Sequence, residues 1–300
     1  MKKFLLATAA VLASTSAYAA DYAVVHPFYT PAQGKFVSET SFDYTHEFRG
    51  DKNGVMAKAT RSDKTITETV TYGVTNEIQV GLSVARDWEK TKNHFADGTG
   101  LLVDTGKEYV NSWQLDAGYN VINDGKTFLN VGMSYSQSVG KDKPFDPIND
   151  IKNDEHGKFI GLSVKGGYNF DDFTVFGNIG YTRQIDGEKE FNNGFWIDER
   201  EKSRDYSLEA GVFKAFNDQI SAWTSLSADI EDGEKREYSL NAGADYSFSK
   251  DMAVGLKASY VFENDVRGHD YDGFMGVRFT RKDQEMHRIY KLGIDFTIAF

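Results

Sequence analysis

Residues 237–248 read Glu-Tyr-Ser-Leu-Asn-Ala-Gly-Ala-Asp-Tyr-Ser-Phe. Tyr238, Leu240, Ala242, Ala244, Tyr246 and Phe248 are apolar, while Glu237, Ser239, Asn241, Gly243, Asp245 and Ser247 between them are polar or small. Successive side chains of a strand point to opposite faces, so this stretch is a strand with one greasy and one wet face. The residues before it repeat the pattern. Ile220, Ala222, Leu226, Ala228 and Ile230 alternate with Ser221, Trp223, Ser225, Ser227 and Asp229, and Thr224 is the one polar residue on the apolar side. Extended along the chain, the period of two predicts twelve strands, at about residues 35–48, 57–72, 77–88, 108–121, 127–138, 158–170, 173–184, 203–216, 219–230, 236–248, 252–263 and 286–300. No stretch after Asp21 sustains a helical period or reaches 18 consecutive apolar residues, which excludes a helical membrane protein.

A soluble β-sandwich would also alternate, so the connections decide between the two. Every second one is tight: Gly73 to Asn76, Ile122 to Gly125, Asp171-Asp172, Asn217-Asp218, and Ser249 to Asp251. The others are mostly long and charged, at 89–107, 139–157, 185–202 and 264–285, with shorter ones at 49–56 and 231–235. Short turns at one rim and long loops at the other describe a transmembrane antiparallel up-and-down β-barrel, with short periplasmic turns and long extracellular loops. A bilayer core leaves no water for unpaired backbone groups, so an extended chain crosses it only as a closed sheet. Closure also explains how a chain of mean hydropathy −0.50 can be integral to a membrane, since only half of each strand must be greasy. Aromatics near strand ends, among them Tyr72, Trp88, Trp113, Tyr119, Phe170, Phe173, Phe216, Phe248, Tyr290 and Phe300, fit the interfacial girdles.

The ends of the chain agree with this. Lys2-Lys3, the apolar run Phe4 to Ala13 and the small residues around Ala17-Tyr18-Ala19 form the three-part pattern of a secretory signal, with cleavage expected after Ala19. The expected organisation is therefore a signal peptide at 1–19, a periplasmic N-terminal segment at 20–34 and a barrel at 35–300, exported to the outer membrane of a Gram-negative cell. The last strand alternates Leu292, Ile294, Phe296, Ile298 and Phe300. Its terminal Phe300 resembles the carboxy-terminal signal that such barrels present to their assembly machinery.

Composition bounds the chemistry. Among 300 residues there are 22 Phe, 16 Tyr and 4 Trp but only 4 Pro and no Cys, which removes disulfides, thiolate metal sites and cysteine nucleophiles. A formal charge of −11, from 34 basic and 45 acidic residues, argues against nucleic acid as a partner. On the wet faces acidic residues outnumber basic ones. The deeper candidates for lining a pore are Glu39, Asp43, Asp116, Glu209, Asp245 and Asp295, with Lys165, Lys257 and Lys291 as the basic members. Rings of carboxylates favour cations over anions, so these residues predict a narrow, acid-lined channel passing small hydrophilic solutes. Small residues on the same face, such as Gly118, Gly132, Gly211, Gly243, Gly255 and Gly293, leave space for it. The alternative is a lumen closed by those same lysines pairing the carboxylates, in a structural barrel that acts through its extracellular loops. Strand 57–72 has no settled register, because turning Ile66, Val70 and Tyr72 to lipid turns Glu68 there too.

Residues 59–84 (ATRSDKTITETVTYGVTNEIQVGLSV), above all Tyr72-Gly73-Val74-Thr75-Asn76 followed by Ile78, Val80 and Leu82, resemble a segment typical of the outer-membrane proteins associated with the meta pathway of phenol degradation. The resemblance implies a channel-like outer-membrane barrel and marks no functional residue.

No catalytic, metal or cofactor signature accompanies the barrel. His26, His46, His94, His156, His269 and His287 are isolated along the chain, and no zinc or nucleophile-elbow motif occurs. His46 and His287 lie near the closing strands, but no serine beside them carries the pattern of the outer-membrane phospholipases. Asp146, Asp150, Asp154 and Glu155 gather in one loop without the regular ligand spacing of a calcium site. The expected partners are outer-membrane lipid, the barrel-assembly machinery and small solutes, with no enzyme activity and no cofactor.

Overall fold

A computed structural model describes residues 24–51, 58–94, 101–140, 152–154, 157–186, 188–192, 195–199, 203–231, 235–264, 270–272, 278–280 and 285–300. The expected signal peptide, 1–19, lies outside these residues. Twelve antiparallel strands close into one barrel: β1 (Phe36–Asp51), β2 (Lys58–Gly73), β3 (Ile78–His94), β4 (Leu101–Asn123), β5 (Thr127–Gly140), β6 (Lys158–Phe170), β7 (Phe173–Asp186), β8 (Arg204–Ala215), β9 (Ile220–Glu231), β10 (Lys235–Ser249), β11 (Met252–Asn264) and β12 (Glu285–Ala299). Each pairs with its sequence neighbours, and β12 returns to β1. Two backbone bonds lock the seam at its end, Phe36 N–H to Phe300 O at 2.8 Å and Phe300 N–H to Phe36 O at 2.9 Å.

The molecule is inside out. Leu162, Ile179, Leu256 and Leu292 are 60% exposed or more, whereas Glu47 and Asn130 are buried to 1%. Water would not leave so many large aliphatics outside while hiding carboxylates and amides, so the outer band is matched to hydrocarbon. Strand β2 follows the same rule. Ile66 and Val70 face out, and Thr65 and Thr69 face in, bonded to Asp87 and Ser83. Glu68 is consequently on the outer face, where the Ser38 hydroxyl donates to it at 2.6 Å and the Thr40 hydroxyl donates as well. Two hydroxyls from β1 thus settle a register that the threonine alternation left open.

The tight rim is built by one device. A side-chain oxygen at the first turn position accepts backbone N–H groups two and three residues on: Thr75 from Glu77 and Ile78, Asp124 from Lys126 and Thr127, and Asn217 from Gln219 and Ile220. Gly125, at φ +82°, supplies the left-handed residue of the second turn. These backbone donors hold the Asp124 carboxyl below the usual carboxylate range.

At the other rim one expectation needs correction. Residues 89–94 and 101–107, expected in a loop, are barrel wall, with Glu89 paired to Glu108, Thr91 to Thr105 and Asn93 to Val103. Above the lipid a strand pair needs no greasy face, so the loss of alternation there does not mark the end of pairing. Loops 139–157 and 185–202 meet in a three-stranded sheet of Lys152–Asp154, Glu188–Asn192 and Phe195–Glu199, and loop 264–285 contains the pair Asp270–Asp272 and Arg278–Thr280. Asp154 belongs to the first of these sheets, while Asp146, Asp150 and Glu155 lie outside the described residues.

Candidate functional site: the lumen and its mouth

Alternation turns the side chains of Glu39, Asp43, Asp116, Lys165, Glu209, Asp245, Lys257, Lys291 and Asp295 inward, flanked by outward-facing exposed residues such as Phe42, Leu115, Val164, Leu208, Tyr246, Leu256 and Leu292. Register then arranges several of them in rows around the wall. One row runs Asp245, Gly255, Asp295, Ser41, and the next runs Gly243, Lys257, Gly293, Asp43, Thr65, Asp87. Each glycine leaves room for neighbouring side chains to meet across it. A methyl on Gly255 would touch both Asp245 and Asp295, and one on Gly293 would overlap Asp43 and Lys257. Through the second gap the Lys257 ammonium reaches the Asp43 carboxylate at 3.2 Å. From β10 through β12 to β1, these two rows therefore set the carboxylates of Asp245, Asp295 and Asp43 against one cation, Lys257, which is paired.

The remaining candidates are more dispersed. Asp116, beside Gly81, accepts from Gln114 Nε2 at 2.7 Å, and Glu209 accepts from Ser225 Oγ at 2.7 Å. Lys291 stands one row beyond Lys257, opposite Thr45. Nearer the long loops, Arg61 binds Asp63 at 2.9 Å and Glu89 at 3.3 Å. Arg61 and Asp63 were invisible as lumen residues while the register of β2 was open.

Lys165 is differently engaged. Its ammonium donates to the Pro27 carbonyl at 2.7 Å and lies 5.3 Å from the centre of the Phe28 ring. Residues 24–34 are folded into the tight-turn end of the lumen. Val24 N–H bonds the Lys250 carbonyl at the β10–β11 turn, His26 meets Thr174 of β7, and Gly34 N–H bonds the Gly73 carbonyl at the end of β2. Between these anchors Phe28 is 1% exposed, stacked on Phe128 with ring centres 4.5 Å apart, in a cluster with Phe176 and Phe213 against which Val25 and Trp223 pack. The segment thus spans the mouth from the β10–β11 turn, past the β5–β9 wall, back to β2. Burial, then the nearby Lys165 charge, push the His26 imidazole down to about 3 from its ordinary 6.5, so it is neutral in place. A sequence-legible trace of this plug did exist. Phe128, Phe176, Phe213 and Trp223 are aromatics at wet-face positions near the tight-turn ends of β5, β7, β8 and β9.

Among the described residues no group of three or more His, Asp and Glu side chains could hold a metal ion. On the outer wall, His46 Nδ1 lies 3.1 Å from Ser62 Oγ. A serine does stand beside this histidine, but among the described residues no carboxylate orients the ring, so the pair lacks the third member of a nucleophilic triad.

The closed meander with a greasy exterior defines a twelve-stranded barrel of the outer-membrane type. Solved structures of that class share its architecture. An outer-membrane channel of Pseudomonas putida F1 matches 95% of this chain and 100% of its own at 11% identity and a TM-score of 0.58. The translocator domain of the autotransporter NalP from Neisseria meningitidis matches 89% and 88% at 13% identity and 0.54. A mutant of the TodX monoaromatic hydrocarbon channel matches 91% of each chain at 12% and 0.52. At these identities the likeness is one of fold. No family model and no curated protein matches the chain.

Proposed function

We propose that the chain is an outer-membrane channel for passive passage of small hydrophilic solutes, preferring cations or neutral molecules, with its tight-turn rim in the periplasm and residues 1–19 removed on export. The carrying observation is the pair of rows in which Asp245, Asp295 and Asp43 face the lumen across Gly255 and Gly293. Carboxylates that share a low-dielectric passage repel anions and concentrate cations. Phe300, bonded into the seam, is the residue offered to the assembly machinery.

Conductance of the refolded protein in planar bilayers under a salt gradient tests this reading. Steady cation-selective steps, with selectivity reduced by Asp43→Asn and further by Asp245→Asn, are expected. Silence from protein verified as folded would overturn it. One observation favours a second reading, a closed barrel acting through its loops: residues 24–34 occupy the mouth. The two readings part on removal of that segment, after which a channel conducts more and a structural barrel stays silent.

A further inference from the structure

The long-loop end of the outer wall carries chemistry that a channel does not use. On adjacent outward rows of β1, β2 and β3, Lys64 stands between Tyr44 and Trp88, and Ser62 stands between His46 and Lys90. Arg86 lies one row nearer the membrane centre, opposite Ile66, and Arg288 of β12 opposes Phe48. The Arg86 guanidinium lies 6.0 Å from the centre of the Trp88 ring and donates Nε–H to Asn111 Oδ1 at 2.9 Å. Among the described residues on the outer faces of β12, β1, β2 and β3 from this row outward, no carboxylate occurs. In a chain of charge −11, that is a local reversal of sign.

Depth explains the reversal. Trp88 and the ring pairs Trp113 with Tyr135 and Tyr260 with Tyr290 mark the interfacial girdle at this rim. Cations at and just above that level have their stems along acyl chains and their heads among lipid headgroups. Phe42 and Ile66 lie on Arg86's own row and Leu292 on that of Lys64, an apolar surface that only a hydrocarbon chain would cover. A free anion would leave that surface bare, and a second copy of the chain, paired about a twofold axis here, would set the same cations face to face.

We propose that this wall binds the phosphate groups of anionic lipid in the long-loop leaflet, with Lys64, Arg86, Lys90 and Arg288 as their cationic partners. The guanidinium forks suit phosphate oxygens, and Ser62 and His46 complete a polar ledge beside them. The proposal rests on the outer-membrane placement above, which cell fractionation tests on its own.

Native mass spectrometry of the full folded chain released from detergent, with added diphosphorylated lipid A, tests the site. Retention of that lipid over its dephosphorylated form is expected, falling about fivefold per cation removed in Lys64→Gln and Arg288→Gln, while Lys214→Gln, at the other rim, changes nothing. Equal retention of the two lipid forms, or unaltered preference in the double variant, would overturn the proposal. Displacement of the lipid by millimolar inorganic phosphate would overturn it in favour of a free-anion site. If the variants do not fold, the wild type decides: its preference is expected to fall steeply with added sodium chloride, and a salt-independent preference refutes the site.

Discussion

At Gly73 the barrel wall comes so close to residues 31–32 that a methyl group would overlap the carbonyl oxygens of Pro31 and Ala32. Backbone cannot yield as a side chain does, so Gly73→Ala is expected to lift the segment from the mouth without opening the barrel. The native chain has no cysteine, so a single Thr30→Cys gives a clean probe, and its maleimide labelling should accelerate when Gly73→Ala is added. His26 supplies a second lever on the same element. Its ring packs against Phe28, Phe128 and Phe213, and the charge facing it is Lys165. In place the imidazole is neutral down to about pH 3, whereas a released one takes a proton near its ordinary 6.5. Docking is therefore full above pH 6.5 and weakens by about tenfold per pH unit below it. Thr30→Cys should label faster at pH 5 than at pH 7.5, and His26→Phe should abolish that difference.

Among the elements, β2 shows where sequence reading stopped. Alternation made every other strand legible because one face was plainly greasy, and with it the inward positions of the nine candidate lining residues. In β2 the competing faces were threonines and a set containing Glu68, and neither is plainly matched to lipid. The deciding hydroxyls, Ser38 and Thr40, belong to β1, and no local pattern announces a cross-strand bond. Glu68 stands four residues beyond the Phe36–Tyr72 pair at the tight rim, about 13 Å along the strand, which puts it within the hydrocarbon. Replacing it with leucine is expected to stabilise the barrel by about 1–2 kcal/mol, measured as a higher urea midpoint for unfolding in lipid vesicles. Within the segment 24–34 itself no pattern could be read, because Pro27 and Pro31 break any period and its partners lie as far away in sequence as Lys250.

For the whole molecule, closure joins first strand to last, so the seam cannot form until the entire barrel has been synthesised. Phe36, Tyr72 and Phe300 share it, with ring centres 4.7 Å and 5.9 Å apart. Phe300→Ala is expected to slow assembly more than it destabilises the finished barrel, read as delayed appearance of the heat-modifiable band on a gel at an almost unchanged urea midpoint. The same closure sets the charge pattern: the sheet sorts alternate residues to two solvents, so a chain of net negative charge can line its interior with acids while gathering cations on its outer rim.

Residue 34 continues through Lys35 directly into β1, so whatever leaves the mouth remains leashed to its edge. A linker this short keeps the released segment at millimolar effective concentration over its own cradle, which makes recapture a unimolecular event that dilution cannot slow. Openings should thus be brief and frequent, and recordings should show flicker whose closing rate is independent of how many barrels are in the bilayer.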